Sequence, residues 1–205
     1  METEPLKSDA QRLGSEVREV RKARGLTLNE LSNVVSCSTA YLSRIERGSA
    51  KVSSELLGEI SAALAVDPDW FFPKQSGDGP LERRHVVRAE NRRALSGMYT
   101  RTPEELGFED QLLSSTLSGQ CYLILSRFPA GKGEKPEFLE GYVFEGEQHA
   151  IVLSGEVELN LGDEVIVLRS GDSFSYPSTI AHRFRNRTNQ EATMVWAMSP
   201  VRISW

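Results

Sequence analysis

Up to about residue 72, apolar residues recur at helical spacing. Leu13, Val17 and Val20 fall at i, i+4 and i+7, one stripe on one helix face. The stretch "GLTLNEL" separates two helices. Gly25 suits the end of the first, Thr27 the N-cap of the second, and Glu30 completes a capping box with Thr27. That second helix is predicted to run to about Val35. Ser38 then caps a third, "STAYLSRIERG", which Gly48 closes. Ser53 opens a fourth helix with Leu56, Leu57, Ile60 and Leu64 on one side, and Asp67 followed by Pro68 starts a last short turn in "DPDWFF". After about residue 89 the period changes to two. "QCYLILSRF", "HAIVLSGEVELNL", "EVIVLRSG", "DSFSYP", "HRFRNR" and "ATMVWAMS" read as short strands separated by glycine-rich turns, the pattern of a sandwich or barrel.

Between these regions, "PKQSGDGPLERRHVVR" stops the helical pattern with Pro, Gly, Ser and Asp. The chain of 205 residues is therefore predicted to be a two-domain α + β protein. Residues 1–72 form an all-α domain, 73–88 a linker carrying a solvated His85, and 89–205 an all-β domain. No apolar run approaches the roughly eighteen residues of a membrane span. The N-terminus lacks the apolar segment of a secretory signal, so a cytoplasmic location with no membrane partner is expected. Cys37 and Cys121 sit far apart in different contexts and are expected to be small buried thiols rather than a disulfide.

Charge changes the picture of the first domain. The net charge of −5 argues against nucleic acid if it is averaged over the chain. From Arg12 to Lys51, however, eight Lys/Arg face four Glu, a local +4 that leaves −9 for the remainder. A basic face on an acidic chain fits one domain that touches phosphate and another that does not.

Two helices joined by a tight turn make a helix-turn-helix. The stretch "RKARGLTLNELSNVVSCSTAYLSRIERGSAKVSSELLGEISAALAV" resembles the lambda-repressor-like (XRE) DNA-binding family, and the likeness covers residues 10–72. The resemblance implies that the helix at 38–47 is the recognition helix, with Leu42 and Ile45 in the core. The opposite face would carry Thr39, Ala40, Ser43, Arg44 and Arg47. With Ser38, Tyr41 and Lys51 these form the candidate DNA-binding set. The family's arginine–glutamate pair matches Arg21 and Glu46, read as a structural ion pair. Leu28, Thr39, Ala40 and Ser36 depart from residues common in the family at phosphate, base and turn positions.

The second region resembles the cupin jelly-roll barrel, and specifically the sensor half of regulators that join an XRE helix-turn-helix to a cupin. "FPAGKG", "GEQHAIVLSGEVEL" and "SGDSFSYPSTIAHRFRN" match in order. Gly171, Pro177, His182 and Asn186 satisfy the second cupin motif, with Thr179 in place of its middle glycine. In the first motif, Gln148 occupies the place of the family's metal-binding glutamate, and Tyr142 and Phe144 those of its histidines. Three of the four metal ligands are thus replaced. His149 is one residue off and alternates to the other strand face. No metal and no cofactor are expected. Tyr142, Phe144, Gln148 and His182 are instead expected to line a small-molecule site, with Arg183 and Arg185 pointing elsewhere.

The resemblance implies a DNA-binding transcription regulator, not an enzyme. It would be a homodimer on double-stranded operator DNA, its cupin domain binding a small-molecule effector. Two half-sites one helical turn apart, about 34 Å, match a two-fold protein. The alternative is a metal-dependent cupin enzyme, epoxidase- or oxygenase-like, that carries a helix-turn-helix.

Overall fold

Local capping builds the first unit. The computed structural model describes residues 8–72, 85–99, 102–133 and 145–200. Helix α1 (Asp9–Ala23) starts at Ser8, whose side chain accepts from the Gln11 N–H while Gln11 returns the bond. Helix α2 (Leu28–Val34) starts at Thr27 in the same way with Glu30, and α3 (Thr39–Glu46) starts at Ser38. Helix α4 (Ser54–Leu64) starts at Ser53, and a 3₁₀ turn, Pro68–Phe71, follows Asp67. Gly25 and Gly48 sit just past α1 and α3 at positive φ, where the chain turns left-handed.

The core of this unit is Val17, Val20, Leu31, Leu42, Ile45, Ile60, Leu64 and Phe71, each 2% exposed or less. Leu13, expected on the apolar stripe, is only half-buried, because the α1 face against α3 is set by Gly14 and Val17. A Cβ on Gly14 would meet the Ile45 carbonyl oxygen at 2.1 Å, so α1 and α3 touch backbone to backbone there.

Chain packing divides near Asn91 and Arg92, and the second unit is built on strands. A six-stranded antiparallel sheet has the order β1 (Arg93–Ala94), β2 (Glu109–Leu112), β3 (Tyr122–Phe128), β9 (Ala192–Ser199), β4 (Glu147–Ser154) and β7 (Ser173–Pro177). A three-stranded sheet has the order β6 (Glu164–Arg169), β5 (Glu156–Leu161) and β8 (His182–Arg185). Alternation along β9 buries Ala192, Met194, Trp196 and Met198 in turn. Aromatic rings join the two sheets. Phe184 of β8 meets Trp196 of β9 edge to face at 4.8 Å between centroids, and Phe174 of β7 lies 5.6 Å from Trp196 and 6.1 Å from Phe184. Such contacts between inner faces are how a jelly roll closes its core.

Residues 89–117 depart from the period-two expectation. They hold short 3₁₀ turns, the two-residue β1, the single helical turn α5 (Pro103–Leu106) capped by Thr102, and β2. These pieces are too short to repeat an apolar pattern. Cys37 and Cys121 are free thiols, but the expectation that both are buried fails: Cys121 precedes β3 and is exposed.

Candidate functional site

The outer face of α3 combines a rigid base with exposed cations. Arg21 of α1 donates from Nε to Glu46 Oε1 at 2.6 Å and from the guanidinium tip to Oε2 at 3.0 Å, with both side chains buried. The same arginine reaches the Leu26 carbonyl at 2.6 Å, which ties the turn before α2 to the pair. This bidentate pair is the structural one expected. Above it, Ser38, Ala40, Arg44, Arg47 and Lys51 are exposed, and Thr39, Tyr41 and Ser43 are half-buried.

The eight candidates are not equivalent. Ser38 Oγ is spent on the cap, accepting from the Tyr41 N–H at 3.2 Å. Thr39 Oγ1 shares a hydrogen bond with Ser32 Oγ at 2.7 Å, which faces its hydroxyl toward α2. Tyr41 Oη donates to the Lys51 carbonyl at 2.7 Å and thereby pins the loop after α3. The Arg44 guanidinium lies 6.0 Å from the Tyr41 ring centre, a cation–π distance. Arg47 donates to Ser43 Oγ at 2.7 Å. Tyr41 and Ser43 therefore orient Arg44 and Arg47, which with Lys51 supply the charge.

The second candidate is a cavity inside the strand unit. Its walls include Tyr99, Phe108, Phe128, Phe184, Trp196 and Met198, with Gln148, His182, Asp110 and Ser126 as polar groups. Gln148 and His182 are brought together as expected, at 2.9 Å between Gln148 Nε2 and His182 Nε2. His182 Nδ1 lies 2.8 Å from the Ile180 carbonyl, which only accepts. The proton is therefore assigned to Nδ1, and Nε2 accepts from the Gln148 amide. Gln148 Oε1 in turn accepts from Tyr176 Oη at 3.4 Å. Burial lowers the His182 pKa, opposed by the Ile180 bond. The stability this contributes is present above the unfolded value near 6.5 and is lost as pH falls through the folded one. Tyr142 and Phe144 lie outside the described residues. His149 is exposed and 3.5 Å from Glu147, as strand alternation requires.

Asn186, the last residue of the second motif, is structural. Its amide donates to the Phe128 and Gln190 carbonyls at 2.8 and 2.7 Å, and its Oδ1 accepts from the Thr188 N–H. Among the described residues, the side chains beside His182 are not those of a transition-metal site. An amide and a phenol with raised pKa stand beside it, and no group of three His, Cys, Asp or Glu side chains comes together among the described residues.

Sequence reasoning missed the opposite polar pole. Asp110 is 7% exposed and accepts hydrogen bonds from Tyr99 Oη and Ser126 Oγ. Burial pushes its carboxyl up to about 6, against the pull of those two hydroxyls. The signal was available: Phe108, Asp110 and Leu112 alternate in phase, which puts the acid on the inner face.

Residues 17–71 match the helix-turn-helix family, and residues 141–198 match the cupin domain family. The chain thus joins a helix-turn-helix of the XRE-like type to a cupin domain, as expected. Over 54 residues, 26% of this chain, it is 46% identical to the transcriptional regulator ClgR of Mycobacterium tuberculosis (strain H37Rv). Over 55 residues, 27% of this chain, it is 36% identical to the polyketide synthase CurC of Streptomyces cyaneus. The matched spans are 48% of ClgR and 36% of CurC, half or less of each relative's length. An HTH_3-family transcriptional regulator from Vibrio cholerae is similar over 94% of this chain and 98% of its own, at 17% identity and a TM-score of 0.40. Nothing about activity follows from likeness at that level.

Proposed function

We propose that this protein is a sequence-specific DNA-binding transcription regulator whose cupin domain binds a small-molecule effector. The observation that carries the reading is the outer face of α3. Exposed Arg44, Arg47 and Lys51 stand on a helix locked from below by the Arg21–Glu46 pair and by the Ser38 cap. A rigid helix with cations at its C-terminal half and small residues, Ser38, Thr39 and Ala40, at its N-terminal end can enter a major groove while Arg47 and Lys51 meet phosphate.

Arg44 reads bases in this account, oriented by Tyr41, while Arg47 and Lys51 hold the backbone. Arg44→Ala should cost about 1–3 kcal/mol on the preferred duplex and relax one base position, and Lys51→Ala should weaken all duplexes about equally. Fluorescence anisotropy on preferred and scrambled duplexes measures both; equal losses on both duplexes for Arg44→Ala remove the assignment.

A homodimer suits two half-sites. The outward face of the six-stranded sheet supports it, because Leu123, Ile151 and Leu153 are 41–49% exposed there, an apolar patch of the kind that marks interfaces. A monomer mass by light scattering contradicts it. The cupin acts as a sensor rather than a catalyst in this reading, since the second motif's histidine is engaged by an amide and its asparagine by backbone. The effector regulates only if it binds DNA-competent and incompetent forms with different affinity. His182→Ala should alter the effector response and leave DNA affinity without effector unchanged. No helix among the described residues is long and apolar enough to cross a membrane, which is compatible with work on cytoplasmic DNA.

A further inference from the structure

The cavity holds an uncompensated acid, and its neighbours suit a cation. Asp110 on β2 stands opposite Ser126 on β3, in register with Met194 on β9 and Val152 on β4. Gln148 lies four residues further along β4, so the Asp110 and Gln148–His182 poles occupy opposite corners of the same inner face. Between them runs a chain of rings. Tyr99 meets Phe108 at 6.5 Å, Phe108 meets Phe128 at 5.5 Å, Phe128 meets Phe184 at 6.1 Å, and Phe184 meets Trp196 at 4.8 Å.

Two polar groups in this wall are left with unmet demand. Asp110 is bonded to two hydroxyls, and no lysine or arginine among the described residues pairs with it. The Trp196 indole N–H is buried without a hydrogen-bond partner among the described residues. A buried carboxylate without a counter-charge is costly. An anionic ligand would add repulsion, and a neutral one would leave the charge uncompensated. An organic ammonium ion supplies the missing charge and three donors, while aromatic faces stabilise its cationic head. A hydroxyl that donates to Asp110 still presents oxygen lone pairs to such donors.

Resting on the effector reading above, the geometry points to a small organic ammonium ion as the ligand class of this cavity, its charged head against Asp110 and its body along the Tyr99–Phe108–Phe128 wall. The indole N–H of Trp196 then meets an acceptor on the ligand's far side or a water carried in with it.

Calorimetric titration of the full chain with three matched probes tests this: benzylamine (cation), benzyl alcohol (neutral) and benzoate (anion). Benzylamine should bind about tenfold more tightly than the alcohol, and benzoate should bind weakest. Asp110→Asn should erase the preference for the amine. If that variant fails to fold, Phe108→Leu keeps the test open, since it should weaken the amine several-fold more than the alcohol. Preferential binding of alcohol or benzoate overturns the cation assignment and leaves an effector cavity standing. Binding by none of the three overturns the cation assignment and the effector reading together.

Discussion

The outer face of α3 and the interior of the cupin use polar residues in opposite ways. On α3 the polar groups that set geometry lie beneath or beside the working face: Arg21–Glu46, the Ser38 cap, and Tyr41 on the Lys51 carbonyl. The charges left over are exposed. In the cupin the polar groups line the cavity itself, buried among rings at two poles, Asp110 with Tyr99 and Ser126, and Gln148 with His182. A surface site can tolerate unpaired cations because water and salt screen them. A buried site cannot, so an acid left without a cation there is informative in a way that an exposed arginine is not.

The largest expected effect breaks the first region at its base. Glu46→Ala strands the Arg21 guanidinium in a site where it is 6% exposed. Leaving a buried charge without its partner costs about 3–5 kcal/mol. Circular dichroism melts should show loss of helical signal at lower temperature, and a melt matching the parent would mean the pair contributes little.

The next prediction sharpens the second region through pH. The Asp110 carboxyl is raised to about 6 in the folded chain, so its contribution is fully present below the unfolded value of 3.8 and is lost as pH rises through about 6. Burial is the leading cause, and Tyr99, Ser126 and Tyr122 are the groups around it. Asp110→Asn does not titrate. Its stability relative to the parent should therefore improve by about 3 kcal/mol between pH 4 and pH 8. Urea melts at the two pH values measure the change, and a constant difference would show that Asp110 is not held as described.

A smaller effect separates helix geometry from contact chemistry. Ser38→Ala removes the α3 cap. It should cost about 1 kcal/mol of stability and weaken preferred and scrambled duplexes alike, since the cap positions the helix without reading bases. A loss confined to the preferred duplex would make Ser38 a base contact.

The same contrast explains what was legible in the sequence. In the first region the caps are local, and the one long-range pair falls on family motif positions. Thr27 with Glu30, Ser38, Ser53 and Asp67 all cap as their spacing predicts, and Arg21 with Glu46 pairs as the family resemblance implies. In the cupin, the strands of the alternating stretches were legible, and so was the placement of His149 outward and Gln148 inward. Asp110 was not read, because β2 is four residues long and its partners Tyr99 and Ser126 come together only through strand register. Asn186 was read as a motif residue, and only the tertiary contact to the Phe128 carbonyl shows that it holds the turn between β8 and β9. On α3, side-chain commitments that spacing does not reveal set Thr39 and Tyr41 apart from the cations.

The central claim is that α3 reads DNA sequence. Selection of bound duplexes from a random library by the full chain, at about 0.15 M salt, tests it most directly. The account predicts enrichment of a two-fold symmetric site with half-sites about one helical turn apart, and loss of one base preference in each half-site for Arg44→Ala. A bound pool with no enriched sequence, or one that Arg44→Ala leaves unchanged, contradicts it.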